Sequence, residues 1–286
     1  MHGPFGVFGR IHTSSATLVP MTGLGATNRN VQQLKKLLGR RSERHATRQF
    51  VIEGPVLSTE AVRAGWICLA QYVPEGSGVK VEGAGPVNEL AAGVLERVAS
   101  TQSPQAPLTL AKMRDHDVVA VLAAASFIVV LDRVGDPGNV GTILRSAEAA
   151  GAEAIVLTPG SVDVFNPKVL RSSAGAVFHV PVLVATLEEV ADSGFELAGT
   201  SSHEFPDRTV VAHTEADLTR RLAIVMGNEA AGLPDEWNDH DGPIDTWLTI
   251  RHRGRSESLN VAMAATIIVF EAARQRAEYQ PGSDPG

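Results

Sequence analysis

Three short stretches of this chain hold polar side chains at spacings that could do chemistry. Asn139, Gly141 and Arg145 form NxGxxxR within residues 127–151, FIVVLDRVGDPGNVGTILRSAEAAG. Gly227, Asn228 and Glu229 open IVMGNEAAGLP after its apolar start, and Ser258, Leu259 and Asn260 lie in TIRHRGRSESLNVAMAATIIVFEA. In each, an apolar run of strand character meets polar and glycine-rich residues, the pattern of a loop leaving the carboxyl end of a strand. In open α/β sheets that edge is where ligands bind. Singly, each turn reads as loop and capping chemistry. Three of them at neighbouring strand ends point to one ligand site.

The elements that must position these groups are legible from period and punctuation. Residues 127–131 are continuously apolar and β-branched at Ile128, Val129 and Val130, which suits a strand buried on both faces of a parallel sheet. Asp136, Pro137 and Gly138 are turn formers, and Asn139 suits the N-cap of a helix running from Gly141, with Ile143, Leu144 and Ala147 at helical spacing. Ser258 is the expected N-cap of a long closing helix that reaches about Arg276. Between them the pattern predicts strands at 154–157, 177–184, 196–199, 222–226 and 246–250, with helices at 168–174 and 186–192, the rhythm of a helix-covered parallel sheet. Upstream, a helix capped by Asn28 or Asn30 carries the apolar stripe Val31, Leu34, Leu37 and Leu38. Strands at 50–52 and 67–72 and helices at 56–64 and 88–98 complete a smaller α/β unit, and 103–107 reads as a loop.

Several chemistries are excluded. The glycines of residues 135–141 are spaced GxxGxxG rather than GxGxxG, and the strand at 154–157 ends in Thr158-Pro159 without the acidic residue a ribose hydroxyl requires, which disfavours a nicotinamide dinucleotide. No GxxxxGK[ST] phosphate loop occurs. His179, His203, His213, His240 and His252 lack ligand spacing, so no metal site is expected. The single cysteine, Cys68, lies in an apolar stretch and reads as a buried structural thiol of a reducing compartment.

Length and composition set the frame: 286 residues, 44% hydrophobic and 20% charged, fit a two-domain globular protein. No apolar segment reaches the ~20 residues of a membrane span, and the first residues lack a signal-peptide core, so a cytoplasmic protein is expected. The expected division is a flexible extension at 1–26, a substrate-binding domain at 27–121, a catalytic domain at 122–279 and a disordered tail at 280–286. A net charge of -7 argues against a nucleic-acid partner, but its distribution is uneven. Arg29, Lys35, Lys36, Arg40, Arg41 and Arg44, with Arg48, form a basic stripe opposed locally only by Glu43. That stripe reads equally as a track for a phosphate backbone or as a solvated helix face.

NxGxxxR at 139–145, GNE at 227–229 and ESLNV at 257–261, in that order and spacing, resemble the three motifs of the SpoU (TrmH-like) family of RNA 2′-O-ribose methyltransferases in the SPOUT superfamily. FNPKVLRSSAGAVFHVPV at 165–182, containing Asn166-Pro167-Lys168, resembles the family's linking stretch, and the likeness covers roughly 127–271. Residues 27 to about 121, with FVIEGP at 50–55, are similar to the family's N-terminal substrate-binding domain.

The resemblance implies an α/β fold: a C-terminal parallel-sheet domain with a trefoil knot, preceded by a smaller ribosomal-protein-like α/β domain. It implies S-adenosylmethionine as cofactor, held by backbone at Gly227, Ile250 and Leu259 with Asn228 beside them, and a homodimer with sites formed across the interface. Arg145 matches the catalytic arginine; because a free guanidinium is a poor base, a role on the adjacent phosphate and the developing alkoxide is preferred. Asn139, Glu229, Ser258 and Asn260 match the other polar positions. The substrate implied is structured RNA, ribosomal first and transfer RNA second, gripped by the basic stripe. Two departures stand out: Ile250-Arg251-His252 replaces IPM, so that Arg251 reads as an added RNA contact, and Ala230 replaces the glycine after GNE, where a positive φ would strain it. Such changes leave open a non-catalytic RNA-binding or ribosome-assembly protein that keeps the fold.

Overall fold

A computed structural model describes residues 23–201, 210–234, 237, 242–251, 253–255 and 258–279. His252, Glu257, the segment 1–22 of the expected extension and the expected tail at 280–286 lie outside these residues.

The chain begins with α1 (Arg29–Gly39), whose first turn is capped by Asn28 accepting from the Asn30 amide at 2.9 Å. Its stripe Val31, Leu34, Leu37 and Leu38 is buried as the helical period requires. Then follow α2 (Arg41–Thr47), β1 (Gln49–Glu53), α3 (Pro55–Arg63), β2 (Cys68–Pro74), β3 (Val87–Leu90), α4 (Val94–Val98) and β4 (Leu108–Lys112). These strands form one sheet in the order β1-β4-β2-β3, antiparallel except for the parallel β2–β3 pair. Residues 88–98, expected as a single helix, divide into β3 and α4 because Val87 to Leu90 pair along β2. β4, absent from the sequence-based expectation, is placed by its pairing with β1.

The second sheet starts after α5 (Val118–Ala124), which straddles residue 121 and buries Leu122 against this sheet. In order come β5 (Phe127–Leu131), α6 (Pro137–Ala149), β6 (Ala154–Leu157), α7 (Pro167–Ser172), a 3-10 turn at Ala176–Phe178 and β7 (Val182–Val184). Then follow α8 (Leu187–Asp192), β8 (Glu196–Thr200), β9 (Val210–Ala212), β10 (Leu222–Met226), β11 (Thr246–Thr249) and α9 (Val261–Tyr279). The strand order is β7-β6-β5-β10-β8-β11-β9 and every pairing is parallel. β5, β6 and β10 are buried at every residue, as strands covered on both faces must be. The stretch 177–184 is not one strand: Gly175 at φ 98 starts the 3-10 turn, which consumes its first residues.

An aromatic cluster joins the two sheets. Phe50 stacks on Phe165 at 4.5 Å and meets Trp66 edge-on at 5.7 Å, and Trp66 meets Phe178 at 5.5 Å while donating its indole N–H to the Phe178 carbonyl at 3.0 Å. Centroid separations of this size are those of favourable aromatic pairs. A buried ion pair reinforces the join: Arg44 meets Asp163 with Nε to Oδ2 at 2.6 Å and also donates to the Leu37 carbonyl.

Candidate active site

Because all strands of the second sheet run in one direction, the loops after β5, β10 and β11 leave from one edge. β5 and β10 are neighbours there, while β8 separates β10 from β11. The helix after β5 starts earlier than expected. Asp136, not Asn139, is the N-cap: its Oδ1 accepts from the Asn139 amide at 2.9 Å, and Pro137 takes the first helical position. Asn139 therefore sits in the first turn of α6 with its carboxamide released from capping.

That carboxamide joins all three motif stretches. Asn139 Nδ2 donates to Glu229 Oε1 at 3.1 Å, and its Oδ1 accepts from Asn260 Nδ2 at 3.1 Å. The Glu229 carboxylate also accepts from the backbone amides of Asp136 at 2.9 Å and Gly135 at 3.2 Å. Burial pushes Glu229 up, but the Asn139 side chain and the Asp136 and Gly135 amides outweigh it and hold the carboxyl below its usual value. Asp136 is likewise lowered, by the Asn139 amide first and then by Lys168, whose Nζ lies 3.1 Å from Oδ2. Asn260, rather than Ser258, caps α9, its Oδ1 accepting from the Ala262 and Met263 amides. Ser258 lies exposed two residues earlier.

The loop after β10 is built on its own backbone. Asn228 and Gly232 exchange both backbone hydrogen bonds, at 3.0 and 2.9 Å. A Cβ at Gly227 would lie 2.4 Å from the Gly232 carbonyl carbon, so the glycine at 227 is required by loop closure and not only by the approach of a ligand. The Asn228 side chain is spent in the scaffold: Nδ2 donates to the Arg133 carbonyl and Oδ1 accepts from the Ala230 and Ala231 amides. It shapes the loop instead of reaching out to a cofactor. Ala230 is not among the residues with positive φ, so the expected strain is absent; the left-handed non-glycine residue of this edge is Arg133, at φ 52. Nor does Gly141 face a ligand: a Cβ there would fall 1.9 Å from Ser172 Oγ, so it serves the close packing of α6 on α7.

Arg145 is exposed and, among the described residues, makes no hydrogen bond or ion pair. Six residues beyond Asn139 on one helix, it stands roughly 9 Å along the axis and about 120° round it, so it does not enter the Asn139–Glu229 network. Its neighbour Ser146 bonds Thr266 of α9 at 2.7 Å, which sets Arg145 beside the α6–α9 contact. Ile250 is half-buried and Leu259 is exposed at this edge. Their apolar side chains fit an adenosyl group in kind. Arg251, expected at RNA, is bidentate on Glu215 at 2.7 and 3.2 Å.

The basic stripe divides. Arg29, Lys35, Lys36, Arg40 and Arg41 are exposed, whereas Arg44 is 3% exposed and locked on Asp163, so it is an inter-sheet strut rather than an RNA contact. Arg41 donates to the Ser161 carbonyl at 3.1 Å, and Ser161 Oγ donates to the carbonyl of Leu131, the last residue of β5, at 3.0 Å. The stripe is thus braced against the carboxyl end of β5, beside the motif turns. Sequence reasoning marked Asp136 only as a turn former and Lys168 only within the linking stretch, and it passed over Arg133 and Ser161, because a single polar residue carries no period that would assign it a partner. Among the described residues no helix is long and apolar enough to cross a membrane.

Known proteins place this geometry. The SpoU rRNA Methylase family matches residues 126–270, and the MRM3-like substrate binding domain matches residues 28–109. The chain is 33% identical to the 23S rRNA (guanosine(2553)-2'-O)-methyltransferase RlmP of Bacillus subtilis over 86% of this chain and 96% of that protein. It is 31% identical to the 23S rRNA (uridine(2479)-2'-O)-methyltransferase of Streptomyces viridochromogenes over 91% and 95% of the two. The crystal structure of an AdoMet-bound rRNA methyltransferase from Sinorhizobium meliloti superposes with a TM-score of 0.75 at 31% identity, covering 88% of this chain and 96% of that one.

Proposed function

The chain belongs to the SpoU rRNA methylase family, and from that premise we propose that it transfers a methyl group from S-adenosylmethionine to a ribose 2′-hydroxyl of ribosomal RNA. The observation that carries this reading is the hydrogen-bonded path Asn260–Asn139–Glu229, which draws all three motif turns into one polar cluster at the carboxyl edge of the parallel sheet.

When bound, S-adenosylmethionine supplies a methyl group already made electrophilic by the sulfonium. The protein's task is then to place the hydroxyl in line and to stabilise the charge that develops on its oxygen. Backbone at Gly227, Ile250 and Leu259 holds the adenosyl group, with Asn228 keeping the first of these loops closed. Glu229 and Asn260 fix Asn139, and Ser258 lines the same edge. Arg145, exposed and unpaired among the described residues, binds the phosphate next to the target ribose and steadies the alkoxide.

We further propose a homodimer in which Arg145 faces the partner's cofactor loops. Its support is the stripe Met263, Ile267 and Phe270 on α9, exposed at 59, 39 and 48%, beside the α6–α9 contact that flanks Arg145. Apolar residues exposed together in this way are typical of a subunit contact. The unit around the four-stranded sheet, expected over 27–121, grips the RNA through Arg29, Lys35, Lys36, Arg40 and Arg41; 122–279 form the methyl-transfer domain, with the trefoil knot that the motif resemblance implies, and the protein works in the cytoplasm. Two relatives at similar identity act on a guanosine and a uridine, so family membership alone does not choose the nucleotide. The test is to map 2′-O-methyl sites in ribosomal RNA from cells with and without the gene. One site lost with the gene is the expected result; an unchanged map overturns the reading.

A further inference from the structure

A recess lies away from the motif turns, between β1, α3, the loop 99–107 and α7. Its volume is about 230 Å³ and it is lined by Glu53, Leu57, Thr101, Ser103, Gln105 and Arg171, among others. Whole ligands occupy pockets of roughly 300–1,000 Å³, so a recess of this size takes one ring system rather than a nucleotide or a peptide.

Its floor is ordered. The Glu53 carboxylate, 9% exposed, accepts from Ser100 Oγ at 3.0 Å and from Thr101 Oγ1 at 2.5 Å, with Arg171 Nη1 3.7 Å away and bonded to Ser100 at 2.7 Å. With Arg171 paired to this carboxylate, the floor carries no net positive charge to hold a phosphate. Its rim is the opposite: the side chains of Ser103 and Gln105 are exposed and, among the described residues, make no hydrogen bond. Gly54, at φ 96, leaves room for Gln105, whose Oε1 would lie 3.4 Å from a Cβ at that position. An amide offers both donors and an acceptor, the complement of a base edge. Leu57 and Val56 add an apolar wall. Unstacked bases of RNA are recognised in this way, on their edges and faces rather than through the backbone.

Position ties the recess to the methyl-transfer site. On α7, Arg171 lies one turn beyond Lys168, and Lys168 holds Asp136, the cap of the helix bearing Asn139 and Arg145. One short helix therefore carries the recess and braces the methyl-acceptor turn.

We propose that this recess receives one unpaired nucleobase of the RNA substrate, read by Gln105 and Ser103, and so contributes to the choice of target; the inference rests on the methyltransferase reading above. Once the modified nucleotide is mapped, short oligoribonucleotides spanning it are made with single abasic replacements at each unpaired position. Their affinities are measured for the wild-type protein, Gln105→Ala and Ser103→Trp. At one position the abasic change weakens wild-type binding about tenfold but weakens Gln105→Ala no further, and Ser103→Trp loses affinity by a similar factor. Thermal melting and S-adenosylmethionine affinity stay unchanged in both variants, which separates the effect from misfolding. Equal abasic losses in wild type and Gln105→Ala at every position overturn the recess, while methylation by the wild type leaves the main reading intact. Coupled binding without any methylation by the wild type has the reverse meaning.

Discussion

Asn260 reaches Asn139 across 121 residues of sequence, its Nδ2 lying 3.1 Å from the Asn139 Oδ1, while its own Oδ1 caps α9. One side chain thereby fixes the start of the last helix and the orientation of a carboxamide on α6, and that carboxamide in turn donates to Glu229. The site is a set of helix starts tied side by side.

Glu229→Ala removes the acceptor shared by Asn139, Asp136 and Gly135. Loosening a positioning group by even an ångström is worth about 10²-fold in rate, so kcat/KM for RNA falls by that order while S-adenosylmethionine affinity changes less. Glu229→Gln recovers only part, since Gly135 donates to one carboxylate oxygen and Asp136 and Asn139 to the other, and the amide nitrogen that replaces either oxygen accepts from none of them. Steady-state kinetics with calorimetry checks this, and full activity of the alanine variant would contradict the positioning role.

Charge reversal at Lys35, Lys36 and Arg40 together weakens RNA binding and reduces the slope of log affinity against log salt by roughly 0.7 for each phosphate no longer neutralised. Arg44→Ala acts differently. It leaves Asp163 buried without its partner and destabilises the protein by about 3–5 kcal/mol in urea unfolding. Unchanged RNA affinity in the triple variant would return the stripe to a solvated face.

How much of the molecule is legible in its sequence follows from range. The strands at 127–131 and 222–226 stand out because both faces are buried, so the sequence is apolar at every residue. β4 escapes because its alternation is slight and its place depends on pairing with β1, nearly sixty residues away. Residues 88–98 look helical by local propensity, and pairing with β2 overrides that for the first of them. In the site, the residue types marked by the motifs are brought together, but their tasks differ from those expected. Gly141 and Gly227 serve packing and loop closure, Arg44 spans the two sheets, and capping passes from Asn139 to Asp136 and from Ser258 to Asn260. Such tasks depend on which atoms lie within about 3 Å of one another, and spacing along a chain does not encode that.

Acid stability has a defined contributor in α9. Arg274, followed by Gln275, holds Glu271 down to about 2 from 4.5, against the opposing effect of burial. A carboxyl depressed in the folded state adds stability that is fully present above its unfolded value and is lost as pH falls toward the folded one. Unfolding free energy therefore declines between about pH 4.5 and 2, and Glu271→Gln flattens that decline. Parallel pH profiles for the two proteins would contradict the assignment.

The exposed stripe on α9 predicts the assembly. Ile267→Asp with Phe270→Asp places two charges on that face without touching the core, so sedimentation equilibrium should report a monomer where the wild type is a dimer. Methyl transfer should fall with it, because Arg145 would lose the partner's loops. A wild-type protein that sediments as a monomer would contradict the shared site.

The most direct test is Arg145→Ala, assayed for transfer of labelled methyl groups to ribosomal RNA from cells lacking the gene, alongside calorimetry with S-adenosylmethionine. Arg145 is exposed and bonded to nothing among the described residues, so its loss leaves the fold and cofactor affinity unchanged. The expected result is a fall in transfer rate of about 10²–10³-fold, the cost of removing one group that stabilises a developing oxyanion. Full methylation by the variant would contradict it.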